Sequence, residues 1–178
     1  MNKFFFCIIS CFSFISFSQI TVPETKKSFY GIVEATWCGL CGQNGHPATA
    51  DIISQTSPKA IYVGLHKSVS SELFSQTASD LAIAFGAIGQ PIFTVNGQNF
   101  GAYSGTSVST AVTAINDFYS TTGADVNAGF EYGIVGDTLY VQTRTTFFNA
   151  LSGEYYVGVY VYEDSIWAVS YTHLTLPT

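Results

Sequence analysis

An α/β domain with the element order β-α-β-α-β-β-α, followed by the front portion of an antiparallel β-sandwich, is the architecture this sequence predicts. Three observations carry it. A β-rich run, Ser28 to Thr36, leads straight into Trp37-Cys38-Gly39-Leu40-Cys41, where a helix begins; Lys59 to His66 is a near-continuous apolar run bounded by polar residues; and Asn96-Gly97 separates two further strand-like runs. After Gly123 the mixed pattern gives way to alternation with period two.

Taken in order, Ser28 to Thr36 is short and β-branched enough for a strand. The following helix is weak at its start, because Gly42, Gly45 and Pro47 disfavour helix, and Pro47 should kink or restart it before Ala48 to Ser54. Lys59 to His66 reads as a strand buried on both faces. Ser79 or Thr77 can cap a helix carrying Leu81, Ile83, Ala84 and Phe85 to a stop at Gly86. Pro91 to Val95 and Gln98 to Tyr103 then form a hairpin, since Asn96 and Gly97 tolerate the positive φ of a type I′ turn. A last helix from Ser107 carries the stripe Val108, Val112, Ile115 and Tyr119. Beyond the boundary expected at Thr121 to Ala124, the alternation of Val126 to Ile134, of Leu139 to Phe147 and of Tyr155 to Tyr162 predicts a three-strand meander. Such a meander needs a partner layer.

Composition narrows the setting. Of 178 residues 47% are hydrophobic and 10% charged, against about 25% charged in ordinary soluble domains, which favours an exported protein over a cytosolic one. Twelve acids against six bases give a net charge of −6, so nucleic acid is excluded as a partner: no surplus cation replaces phosphate counterions. Aromatic residues at 16% exclude a disordered chain.

Both ends need separate treatment. Lys3 precedes an apolar stretch from Phe4 to Phe17, and Ser16-Phe17-Ser18 places small residues before Gln19, which predicts a signal peptide over residues 1–18. Lipid attachment at Cys11, within Ile8-Ile9-Ser10-Cys11, is the alternative. Loss of the leader removes Cys7, Cys11 and Lys3, leaving Cys38 and Cys41 as the remaining thiols. At the other end, Val169 to Thr178 resembles translated adapter sequence of the kind that terminates assembled reading frames. The expected organisation is thus a leader (1–18), an α/β domain (19–122), a partial β-sandwich domain (124–168) and a foreign tail (169–178).

The chemistry centres on Cys38 and Cys41. Residues i and i+3 share one face of a helical turn, so the two sulfurs can close a small disulfide. At a helix N-terminus the dipole and unpaired N–H groups stabilise thiolate and lower a cysteine pKa from about 8.5 to between roughly 3.5 and 7.5. Cys38 is therefore the expected nucleophile and Cys41 the resolving thiol. Zinc held by the two cysteines with His46 and His66 is disfavoured, because the histidine spacing fits no common finger. Attachment of c-type haem is excluded by Gly42, which stands where a histidine is required. No metal or cofactor is expected.

The Trp37-Cys38-Gly39-Leu40-Cys41 stretch after a strand, followed by Gly89-Gln90-Pro91 opening another strand, resembles the thioredoxin superfamily. Glu34, Thr36, Cys38, Gly39 and Cys41, with Gly45-His46, His66, Pro91 and Glu163-Asp164, look more narrowly like the outer-membrane-protein-twenty-eight-related family of secreted thioredoxin-like proteins. The resemblance implies a thioredoxin-like fold, a cis Pro91 facing the dithiol, and Gln90 offering backbone groups to an extended substrate. It also implies protein thiols or disulfides as partners, in the periplasm, at the outer-membrane surface or outside the cell. Leu40 and Gly42 depart from it, each standing where prolines are usual.

For the neighbouring residues two readings stand. Trp37 is either substrate surface or core; Glu34 is a strand-face acid or a proton relay; His46 lies beside the dithiol or at a helix end; His66 is hydrogen-bonded structure or part of the site. The whole-protein readings divide the same way. One is thiol-disulfide exchange on proteins through Cys38 and Cys41, and the other is a non-catalytic surface binding protein whose disulfide is permanent.

Overall fold

The computed structural model describes residues 19–120 and 123–164. The leader, the tail and Thr121-Thr122 of the expected boundary lie outside the described residues. The chain is a mixed α/β protein. A four-stranded sheet is formed by β1 (Ser28–Glu34), β2 (Ala60–His66), β3 (Ile92–Val95) and β4 (Gln98–Ala102) in the order β2-β1-β3-β4. β2 runs parallel to β1, while β3 is antiparallel to both β1 and β4.

Alternation along β1 decides what covers each face. Tyr30 and Ile32 point to one side with Phe93 and Val95, where they meet Ala48 and Ile52 of α1 (His46–Thr56) and Val108, Ala111 and Ile115 of α3 (Gly105–Ser120). Phe29 and Val33 point to the other, against Ala78 and Ala82 of α2 (Gln76–Ala84). Full burial of Tyr30, Phe93, Ile52 and Ile115 supplies roughly 1.5–3 kcal/mol per side chain.

Several sequence expectations hold, and others are corrected. Asn96 and Gly97 have φ of 50° and 81° and join β3 to β4 as the Asn-Gly signal predicts. The Gln90-Pro91 peptide is cis, as is Ser57-Pro58. β2, expected to be buried on both faces, is an edge strand with Ile61 exposed. Its apolar residues face helices above and below, which hydropathy records, but it has a neighbour on one flank only, which hydropathy does not record. α2 starts earlier than predicted: Ser75, rather than Thr77 or Ser79, is its cap and accepts from the N–H of Ala78 at 3.4 Å. The helix after the cysteines restarts where Pro47 was expected to restart it, with Pro47 in the first turn of α1. A π-helical turn (Cys41–Gly45) leads directly into α1, and the His46 N–H reaches back to the Cys41 carbonyl. The wider turn relieves the crowding that a proline ring imposes on the preceding turn of an α-helix.

The β region is also smaller than expected. β5 (Val126–Val135) and β6 (Thr138–Phe147) pair along their full length as a two-stranded antiparallel sheet, with Gly136 turning at φ 59°. Tyr155 to Tyr162 alternates in sequence but forms no strand; Tyr155 packs edge-on against Phe147, with centroids 5.3 Å apart. The segment ahead of β1 lies across β5. Ile20 is buried there, and the Asn127 side chain donates to the carbonyls of Pro23 (2.8 Å) and Thr25 (3.3 Å).

Candidate functional site

The site sits at the end of the sheet where β1 and β2 finish and β3 begins. After Glu34 the chain turns through Ala35, Thr36 and Trp37, and the Cys38 N–H donates to the Ala35 carbonyl at 3.0 Å. Cys38 and Cys41 are joined by a disulfide with their Cα atoms 5.2 Å apart. The Cys41 N–H points at Cys38 Sγ (3.1 Å) and also at the Cys38 carbonyl (3.1 Å), while the Gly42 N–H reaches that same carbonyl at 3.3 Å. A helix start thus directs backbone donors at the first cysteine, the arrangement that stabilises thiolate when the pair is reduced. Both cysteines are enclosed, Cys38 at 5% exposure and Cys41 at 1%, and they pack with Ala35. Trp37 at 44% and Leu40 at 57% are exposed on either side.

Pro91 is buried and comes against the π-helical turn that follows the cysteines. The approach is close enough that a methyl group on Gly45 would lie 3.0 Å from Pro91 Cβ and 3.1 Å from Ile32 Cδ1. Gln90, just ahead of it, is half-buried. Glycine at 45 is what admits the Pro91 loop to the helix.

The predicted accessory residues converge on one another. Glu34 is buried on the α1 side of the sheet, where His46 Nε2 donates to its Oε2 at 2.6 Å and His66 Nε2 lies 3.3 Å from its Oε1. Gly64 makes the space: a methyl group there would collide with Glu34 Oε1. Burial by itself would push the Glu34 carboxyl up, but the hydrogen bonds and charges of the two imidazoles outweigh it and hold the group at about 2. The hydrogen bond to Glu34 raises the pKa of His46 in return, with partial desolvation opposing. Glu34 is thus a buried acid paired with His46 at the rim, with His66 beside it and hydrogen-bonded to Ser71.

One further residue, Ser71, joins this cluster without having been singled out by sequence, and it ties Thr36 to it. Ser71 is buried in the loop after β2; its hydroxyl lies 3.1 Å from His66 Nδ1 and accepts from the Thr36 N–H at 3.2 Å. Thr36 Oγ1 in turn accepts from the Glu72 N–H at 3.3 Å. Ser68, Ser70 and Ser71 form an ordinary polar loop in sequence, so only the polarity of the segment signalled any role. Beside the cluster, between α1 and the β1–β2 pair, lies an open cleft of about 300 Å³ whose lining includes Tyr30, Glu34, His46, Thr49 and Tyr62. Among the described residues no group of three or more His, Cys, Asp or Glu side chains is arranged to hold a metal ion, and no helix is long and apolar enough to cross a membrane.

No family model and no curated protein matches the chain. Among solved structures, HBP35 of Porphyromonas gingivalis is similar over 61% of this chain at 17% identity, with a TM-score of 0.46; the match spans 37% of that protein's length.

Proposed function

We propose that this chain is an exported, thioredoxin-like protein of the cell envelope that exchanges thiols and disulfides with protein substrates through Cys38 and Cys41. The observation that carries the reading is the Cys38–Cys41 pair closed at a helix start, with backbone N–H groups aimed at Cys38. The strand order and the packing of Pro91 beside the helix support it, as does the leader-like N-terminus. In the reduced protein the Cys38 thiolate attacks one sulfur of a substrate disulfide, forming a mixed disulfide and expelling the other substrate sulfur as thiolate. Cys41, deprotonated, then attacks Cys38 Sγ, re-forming the internal bond and releasing the second substrate thiolate. The reverse sequence oxidises a substrate dithiol. Exposed Trp37 and Leu40, with Val69 and Ile88 on the loops at the same end of the sheet, suit a cysteine-bearing polypeptide with apolar flanks.

A second reading is favoured by one specific observation, the near-complete enclosure of both cysteines. On that reading the disulfide is permanent and the domain is a binding scaffold. Insulin reduction and scrambled-ribonuclease assays on the wild type and Cys38→Ser separate the two. Exchange predicts activity that Cys38→Ser abolishes; equal behaviour of the two proteins, together with a potential below about −300 mV for the pair, establishes the permanent bond.

A further inference from the structure

The loop between β2 and α2 touches the dithiol region at two places. Ser71 and Glu72 hold Thr36, two residues before Cys38. Lys67 Nζ donates to the Ala87 carbonyl at 2.7 Å and to that of Ile88, on the loop that leads into Gln90-Pro91. The loop is itself closed by the Ser75 N–H donating to the His66 carbonyl at 3.1 Å.

Hydrogen-bond valence gives this network a direction. An ionised carboxylate only accepts, so the His66 nitrogen that faces Glu34 Oε1, at 3.3 Å, is the one that carries the proton, a longer contact than the 2.6 Å hydrogen bond from His46. In the neutral ring Nδ1 is then an acceptor, and the donor across that 3.1 Å contact has to be the Ser71 hydroxyl. With its proton committed to His66, Ser71 Oγ offers its lone pairs to the Thr36 N–H. Glu34 thus selects the tautomer of His66, His66 sets the hydroxyl of Ser71, and Ser71 anchors the backbone from which Trp37 and Cys38 project.

We propose that Ser71 is a positioning residue for the dithiol, oriented by the Glu34–His66 pair so that the Thr36–Cys38 turn is held in the geometry of the closed disulfide. This rests on the exchange reading for its biological use, but the positioning itself needs no substrate. A residue that merely stabilises the fold does so equally with the cysteines bonded or reduced and leaves the equilibrium between those forms untouched. A residue that holds the turn for ring closure changes it.

The test is a glutathione redox titration of the Cys38–Cys41 pair in the wild type and Ser71→Ala, with the imidazole nitrogens of the wild type observed by long-range ¹H–¹⁵N correlation well above the ordinary histidine range. Loss of one buried hydrogen bond predicts a roughly threefold to tenfold lower equilibrium constant for disulfide closure in Ser71→Ala. The wild-type spectrum is expected to show His66 as the Nε2–H tautomer. A folded Ser71→Ala with an unchanged constant overturns the proposal, as does an Nδ1–H tautomer in the wild type. If Ser71→Ala does not fold, His66→Phe, which keeps the ring volume without either nitrogen, is read by the same constant. Should both variants fail to fold, the wild-type tautomer decides. A wild type that turns over no protein disulfide sinks the exchange reading and leaves these measurements standing.

Discussion

Glu34 is a buried carboxylate held by two imidazoles, and its consequence for stability has a defined sign. Its carboxyl moves from an ordinary 4.5 to about 2 on folding, so between those values the unfolded chain binds the proton that the folded chain refuses. Stability therefore falls as pH falls across that window, by on the order of 2–3 kcal/mol for this group. His46 acts oppositely. Its raised pKa makes its contribution complete below the ordinary 6.5 and lost as pH climbs through the folded value above it. The cluster is thus most stabilising between about pH 4.5 and 6.5. Urea unfolding across pH should show both limbs in the wild type, and Glu34→Gln should flatten both while losing on the order of 2–3 kcal/mol on the plateau. Unchanged limbs in Glu34→Gln would remove this assignment. Sequence placed Glu34, His46 and His66 near the dithiol without pairing them, because residues 12 and 32 apart meet only after β2 has docked beside β1 and the helix has folded over it.

At the scale of elements, local chemistry was legible where it acts locally. The Asn96-Gly97 turn, the apolar stripe of α3 and the helix start after Cys38 all follow from near neighbours in sequence. The cap of α2 was misplaced because Ser75, Thr77 and Ser79 are chemically equivalent caps, and the choice is made when Ala78 and Ala82 turn toward β1 and β2. Ser75→Ala should cost about 1 kcal/mol in urea unfolding, and Thr77→Ala, inside the first turn, less than half of that. Equal losses would mean that Ser75 does not cap the helix. A tighter constraint falls on Gly45. Helix propensity rewards alanine there, yet the methyl group would press on Pro91 and Ile32, both buried. Gly45→Ala is therefore expected to destabilise by roughly 1–3 kcal/mol despite the propensity gain. A rise in the thermal midpoint would show that the Pro91 loop yields freely.

For the molecule as a whole, the four-stranded sheet and the β5–β6 hairpin differ in how they dispose of apolar surface. The sheet is covered by helices on both faces. The hairpin directs Phe130, Tyr132, Ile134, Leu139 and Phe147 to one face and leaves them exposed. An apolar face of this kind favours self-association. Phe130→Lys/Tyr132→Lys should lower the apparent mass in sedimentation at high protein concentration, while the unfolding free energy of the four-stranded sheet, followed by its own probes, changes by no more than about 0.5 kcal/mol. A wild type that stays monomeric throughout would contradict this.

The amino-acid sequence by itself determined the order of strands and helices in the α/β region and where the cysteine pair stands, because periodicity, turn chemistry and helix punctuation are properties of neighbours along the chain. It also marked the alternation of β5 and β6. Only the tertiary structure decided that β2 lies at an edge, that Tyr155 to Tyr162 stays unpaired, and that Glu34, His46, His66, Ser71 and Thr36 converge beneath the dithiol turn. Lateral strand order and hydrogen bonds between distant residues are selected by which surfaces bury best together, and hydropathy records that a face is covered without recording what covers it.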